Sequence, residues 1–203
     1  MPRRGEPDPL SVGGIILAAG QARRYGTQKL LAPLDGRPLL QHVVDAANAS
    51  RLEEVVLVTG ADADALLAQV IPGRARVVRN PDSASGLASS LRVGLSSLDR
   101  RRQAALVLLG DVPGVTALLI GDLVAKARET GASAVVSVWR SRRSPPVVLH
   151  RSLWPAAFAL RGDVGMREIL AGRPDVAFIE VTPELGSLED VDTTDDHARL
   201  THP

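Results

Sequence analysis

Short runs rich in valine, leucine and isoleucine alternate with stretches of helical period along nearly the whole chain, and this alternation restricts the fold more than any other feature. Val12–Ala18, Glu54–Thr59 and Ala104–Leu109 read as buried strands, because their apolar residues run on without a polar partner at every second position. A weaker strand covers 76–78. Residues 134–139 and 146–149 read as strands on either side of a basic turn, 140–143, and 176–181 as the last strand. Helices fill the intervals at 38–49, 62–70, 86–98, 116–130, 153–160 and 165–171. Leu39, Leu40, Val43, Val44 and Ala47 mark the face of the first, and Leu87, Leu91, Leu95 and Leu98 that of the third.

The order implies an α/β protein: a Rossmann-like three-layer sandwich with a mainly parallel sheet and helices on both faces. The strands around 140–143 are joined too closely for a parallel crossover, so one of them is expected to run antiparallel. Ligands of such sheets lie beyond the carboxyl ends of the strands, near the point where strand order reverses. The segment after Ala18, Asp111 and the segment after Val181 should therefore share one edge.

Composition sets bounds. No linker or shift in composition divides the 203 residues, so one domain over 11–203 is expected behind a loose tail at 1–10. Hydrophobic residues make up 45% and aromatic residues 2%, which calls for an aliphatic core and argues against base stacking. With a net charge of +1, a nucleic-acid partner is disfavoured. The absence of cysteine excludes disulfides, thiolate metal sites and cysteine nucleophiles. No apolar run approaches the length of a membrane span and nothing resembles a signal peptide, so the expected location is cytoplasmic, with no membrane partner.

The first strand runs into Leu17-Ala18-Ala19-Gly20, then a loop carrying Arg24, Gly26 and Lys29. Small residues let a ligand approach the backbone, and the two cations call for an anion such as a phosphate chain. No second glycine follows Gly20 at the dinucleotide-binding spacing. Gly20 and Gly26 are one residue too far apart for a Walker loop, and Lys29 does not adjoin Gly26. An ordinary polar turn remains the alternative. Asp111, at the end of a wholly apolar strand, reads as a carboxylate presented at the ligand edge; helix capping is the alternative, for which Thr116 is better placed. Asp190 and Asp192 lie in a second acidic segment that also reads as a solvated turn. A phosphate loop with two separated carboxylates is the composition of a Mg²⁺–nucleotide site, since Mg²⁺ takes one or two carboxylates with phosphate oxygens and water.

The run Leu17-Ala18-Ala19-Gly20-x-x-x-Arg24-x-Gly26-x-x-Lys29 resembles the signature loop of the MobA-like nucleotidyltransferases of the GT-A-like (nucleotide-diphospho-sugar transferase) fold, and most of all their molybdenum cofactor cytidylyltransferase branch, where Ala stands at position 19. Asn80-Pro81 with Gly86-Leu87-Ala88-Ser89-Ser90-Leu91-Arg92 resembles the segment framing the base. Leu109-Gly110-Asp111-Val112-Pro113 resembles the metal-binding turn, and Asp190-Val191-Asp192-Thr193 the closing metal motif. Pro146-Val147-Val148-Leu149 and Gly162-Asp163-Val164-Gly165 resemble acceptor-side elements. Ala22, Tyr25, Ser83, Ser85, Pro145 and Thr194 depart from the pattern, mostly around base and acceptor.

The resemblance implies transfer of a nucleoside monophosphate from a nucleoside triphosphate, CTP favoured, to a molybdopterin-type acceptor, with pyrophosphate released and a molybdoenzyme as a further partner. It implies Lys29, Arg24 and Asp111 as catalytic residues, Asp111 and Asp192 as Mg²⁺ ligands, and Leu17, Ala18, Ala19, Gly20, Gly26, Asn80, Gly86, Ser89 and Ser90 as nucleotide-binding residues. Gly86, Ser89 and Ser90 also read as a plain helical turn. GTP as donor, a sugar phosphate or phospholactate as acceptor, a nucleotide-binding cofactor chaperone without turnover, and an NAD(P)-dependent oxidoreductase stand as alternatives.

Overall fold

The computed structural model describes residues 10–20 and 29–190. In chain order the elements are β1 (Val12–Ala18), β2 (Pro33–Leu34), β3 (Arg37–Pro38), α1 (Leu39–Ala49), β4 (Glu54–Thr59), α2 (Ala63–Leu67), β5 (Arg76–Arg79), α3 (Leu87–Ser97), β6 (Ala104–Leu109), α4 (Ala117–Thr130), β7 (Ala134–Trp139), β8 (Arg142–His150), α5 (Trp154–Ala159), α6 (Met166–Leu170) and β9 (Val176–Glu180). Seven strands form one sheet in the order β5-β4-β1-β6-β8-β7-β9, and β2 and β3 form a separate hairpin. β8 runs antiparallel to both its neighbours, while the other pairings in the sheet are parallel. The mainly parallel sheet with one antiparallel strand is thus as the sequence implies.

All seven residues of β1 are buried, and successive side chains serve opposite faces. Val12, Ile16 and Ala18 join Leu40, Val43, Val44, Leu119 and Leu123 in the core beneath α1 and α4. Ile15 and Leu17 join Leu91, Leu95, Trp154 and Ile169 beneath α3, α5 and α6. A continuous apolar run is what a strand covered on both faces requires. Thr116 caps α4 by accepting from the Leu119 N–H at 3.1 Å, and Gly131 ends the same helix at φ +60.

The structure corrects several boundaries. α2 is one short helix, Ala63–Leu67, rather than 62–70; the chain beyond it makes only single turns, with the Val70 N–H donating to the Leu66 carbonyl at 2.9 Å. β8 begins at Arg142, not at 146, so half of the basic segment 140–143, Arg142 and Arg143, is strand. The turn shrinks to Arg140 and Ser141, both left-handed at φ +48 and +62, the two-residue geometry that matches strand twist. The β2–β3 hairpin was not anticipated, although its turn, Asp35-Gly36 at φ +50 and +75, is a strong hairpin dipeptide. No helix among the described residues is long and apolar enough to cross a membrane.

Two glycines allow the close layering on one face of β1. A Cβ at Gly94 of α3 would lie 2.5 Å from Ile15 Cγ2, and one at Gly13 would lie 2.6 Å from Leu98 Cδ2. Gly94→Val should therefore force α3 away from β1 and lower stability by about 1–3 kcal/mol in a denaturant titration, the usual cost of overpacking.

Candidate active site

The sheet reverses its order between β1 and β6. The chain runs outward from β1 through β4 to β5, then crosses back to place β6 on the other side of β1. Leu17 pairs with Leu109, and the Gly110 N–H donates to the Leu17 carbonyl at 3.0 Å. The carboxyl ends of the two strands therefore finish side by side and deliver Ala19-Gly20 and Asp111 to one edge. Lys29 meets them there. Its Nζ donates to Asp111 Oδ2 at 2.7 Å, with the side chains 14% and 28% exposed. This partly buried pair is less screened by water than a surface pair, which strengthens it.

Two clefts open at this edge and share Ala19, Gly20 and Ser83. The first is walled by Ala18, Lys29, Gly60 and Asp62; the second by Leu17, Gly86, Leu87, Ser90 and Asp163. Small residues make the shared floor narrow. A Cβ at Gly60 would lie 3.1 Å from both the Ala19 carbonyl and Ser83 Oγ, whereas one at Gly20 would meet nothing among the described residues within 4 Å. Gly20 thus keeps the end of the strand clear of the described side chains, where a ligand can lie against backbone.

Asn80 and Ser89 are placed differently from Ser90. The Asn80 side chain is almost fully buried; its Nδ2 donates to Ser89 Oγ at 2.8 Å and to Ser90 Oγ at 3.0 Å, and its Oδ1 accepts from the Asp82 N–H at 3.0 Å. Ser89 Oγ in turn donates to the carbonyls of Asp82 and Gly86, both at 2.8 Å. Asn80 and Ser89 together lock the 80–86 turn onto the start of α3. Ser90 accepts from the same amide but lines the second cleft. Gly86 sits at φ +96, and a Cβ there would collide with the Gly162 backbone at 2.5 Å, so this position requires glycine.

The segment after β9 reaches the same edge. The Val181 N–H donates to the Val138 carbonyl at 2.8 Å, the Ser187 N–H to the Gly114 carbonyl at 3.0 Å, and Thr116 Oγ1 to the Leu185 carbonyl at 2.6 Å. Arg140 Nη1 lies 2.6 Å from Glu189 Oε1. The acidic stretch is thereby tied to the β7–β8 turn on one side and to the loop after Asp111 on the other. Arg24, Gly26 and Asp192 lie outside the described residues. Among the described residues no group of three or more His, Cys, Asp or Glu is clustered as a metal site. Asp111 supplies a hard oxygen donor at the ligand edge, and a single carboxylate fits the way Mg²⁺ is held when phosphates and waters complete its shell.

The model of the MobA-like NTP transferase domain matches residues 14–177. The chain belongs to that family. Nicotine blue oxidoreductase of Paenarthrobacter nicotinovorans is 32% identical over 97% of this chain and 99% of its own length. The homologue of Mycobacterium tuberculosis Rv0371c from Mycobacterium sp. strain JC1 superposes with a TM-score of 0.81 at 32% identity, covering 94% of each chain. Rv0371c itself, solved in complex with manganese, gives a TM-score of 0.78 at 27% identity over 94% of this chain and 98% of that one. The MobA-like sheet thus carries Lys29, Asp111 and the Ala18-Ala19-Gly20 floor together at its switch point.

Gly60 and Asp62 also line the first cleft without having been singled out from the sequence, and Ser83, which lines both, stood there only as a departure from the family pattern. Gly60 directly follows β4, so its position one residue past a buried strand was the available signal. The Asn80 bracket makes a specific demand. Asn80→Ala removes the partner of two seryl hydroxyls and of the Asp82 N–H in a buried setting, and should cost about 2–3 kcal/mol in denaturant unfolding. Asn80→Asp, which keeps the acceptor for Asp82 but buries a charge without a cation, should cost at least as much.

Proposed function

We propose that this MobA-like protein is a nucleotidyltransferase that moves a nucleoside monophosphate, from CTP in preference to GTP, onto a molybdopterin-type acceptor and releases pyrophosphate. The observation that carries the reading is the Lys29–Asp111 pair at 2.7 Å beside the open backbone of Ala19-Gly20. The pair fixes an ammonium and a carboxylate before substrate arrives, so little reorganisation is needed when charge develops on the transferring phosphoryl group. Lys29 neutralises the α-phosphate and the incoming phosphate nucleophile. Backbone N–H groups of the segment from Ala19 to Gly26 hold the β- and γ-phosphates, and Arg24 binds them through its planar fork. Leu17, Ala18, Gly86 and Ser90 shape the floor on which nucleoside and phosphates lie, while Asn80 and Ser89 position that floor. Asp111 and Asp192 hold Mg²⁺, which when bound offsets charge on the phosphate oxygens. A phosphate nucleophile is already ionised, so no general base is needed. A molybdoenzyme is the natural recipient of the product.

A second reading has one specific observation in its favour: the relative matched over nearly its whole length is named an oxidoreductase. The absence of a G-x-G-x-x-G turn after β1 weighs against a nicotinamide-dependent reaction. One assay separates the readings. Pyrophosphate release is measured from CTP, GTP, ATP and UTP with Mg²⁺, with and without molybdopterin, beside a control for consumption of reduced nicotinamide. The expected result is release from CTP that depends on molybdopterin. Nicotinamide oxidation without pyrophosphate would establish the second reading, and nucleotide binding without any release would mark a carrier.

Lys29→Ala should lower turnover by about 100-fold or more with the fold intact, since it removes a fixed charge from the transition state. Near-normal pyrophosphate release would remove Lys29 from the mechanism. Asp111→Asn should flatten the dependence of nucleotide affinity on Mg²⁺ in a metal titration.

A further inference from the structure

Among the described residues, Asp163 lines the second cleft without a cation beside it, whereas the first holds the ammonium of Lys29, paired with Asp111, together with Asp62; Ala19, Gly20 and Ser83 are common to both. Asp163 does not project at random from its loop. Its Oδ1 accepts from the Leu87 N–H at 3.3 Å, and the neighbouring Gly162 carbonyl accepts from the Ala88 N–H at 3.1 Å. These two N–H groups open α3, so the 162–163 loop caps that helix from a distance of 76 residues in sequence. Gly86 packs directly beneath: a Cβ there would lie 2.6 Å from Asp163 Oδ1. The second carboxylate oxygen has no partner among the described residues.

A carboxylate already occupies the positive end of α3, so an anionic phosphate chain is disfavoured there and favoured at Lys29. A nucleoside triphosphate lying along the shared floor with its phosphates towards Lys29 places its base towards Asp163 and Ser90. A carboxylate has only acceptors to offer. It takes a hydrogen bond from an exocyclic amino group, as carboxylates do from the cytosine N4 amino group, and repels a carbonyl oxygen in the same place.

Resting on the nucleotidyltransferase reading above, we infer that Asp163 is a specificity-determining residue that selects an amino-bearing pyrimidine and rejects uracil. Asparagine tests this cleanly. It keeps an oxygen for the Leu87 N–H and so preserves the cap, but its other end becomes an NH₂ that donates to the O4 of uracil.

The experiment measures the affinity of the full chain for CTP and UTP by calorimetry, for the wild type, Asp163→Asn and Asp163→Glu. The wild type should bind CTP at least about tenfold more tightly than UTP, the ratio expected of one charge-assisted hydrogen bond. Asp163→Asn should bring the two affinities together or invert them, mainly through a gain for UTP. Asp163→Glu should retain a preference for CTP. Equal wild-type affinities would overturn the role of Asp163 and leave the nucleotidyltransferase reading standing, as would a parallel loss for both nucleotides in Asp163→Asn with the ratio unchanged. Failure of the wild type to bind either CTP or UTP, with GTP and ATP also giving no heat in the same calorimeter, would overturn both.

Discussion

β1 is hydrogen-bonded along both edges, by β4 and β6, and covered on both faces. It is the one strand among the described residues buried along its whole length, and the rest is arranged around it. With its sides occupied, the strand can offer a ligand only its carboxyl end. The reversal of strand order beside it keeps that end from being roofed by a crossover helix. The Lys29–Asp111 pair, the small-residue floor and both clefts all follow from where β1 stops.

Charge at this edge is organised by backbone more than by side-chain number. Lys29 and Asp111 face each other because Leu17 and Leu109 are in register, and Asp163 faces the same floor because its loop caps α3. The Asn80 amide performs a related task for the 80–86 turn, bringing two seryl hydroxyls and a backbone N–H to one point. Buried amides of this kind are expensive to leave unsatisfied, so they fix geometry tightly.

The strands were the most legible part of the sequence. β1, β4, β6 and β7 match their apolar runs residue for residue, since a strand buried on both faces is mostly apolar and the buried hydroxyl of Ser137 in β7 is satisfied by the Pro146 carbonyl at 2.8 Å. The early start of β8 was not, because the left-handed Arg140-Ser141 turn acts through backbone geometry that period alone does not reveal, and the apolar period of 62–70 runs on past the point where α2 ends. At the site, the identities of Lys29 and Asp111 could be read in advance, but their contact could not: the two are 82 positions apart, and only the strand register joins them. Asn80 was noticed as a nucleotide-side residue, yet its part as a bracket depends on a turn whose shape is set by Gly86 and the distant 162–163 loop. The cap on α3 had no local signal at all.

The position of β8 between β6 and β7 bears on how the protein is made. A ribosome produces β7 before β8, so β6 cannot acquire its outer neighbour until about residue 150 has emerged. Until then a strand composed wholly of Ala, Leu and Val presents an open row of backbone donors and acceptors. The nascent chain therefore passes through an interval in which its stickiest edge is bare, and long-range strand insertion of this sort is intrinsically slow. Until residue 150 is made, β6 has a partner along one edge only, and the delay is written into the strand order itself.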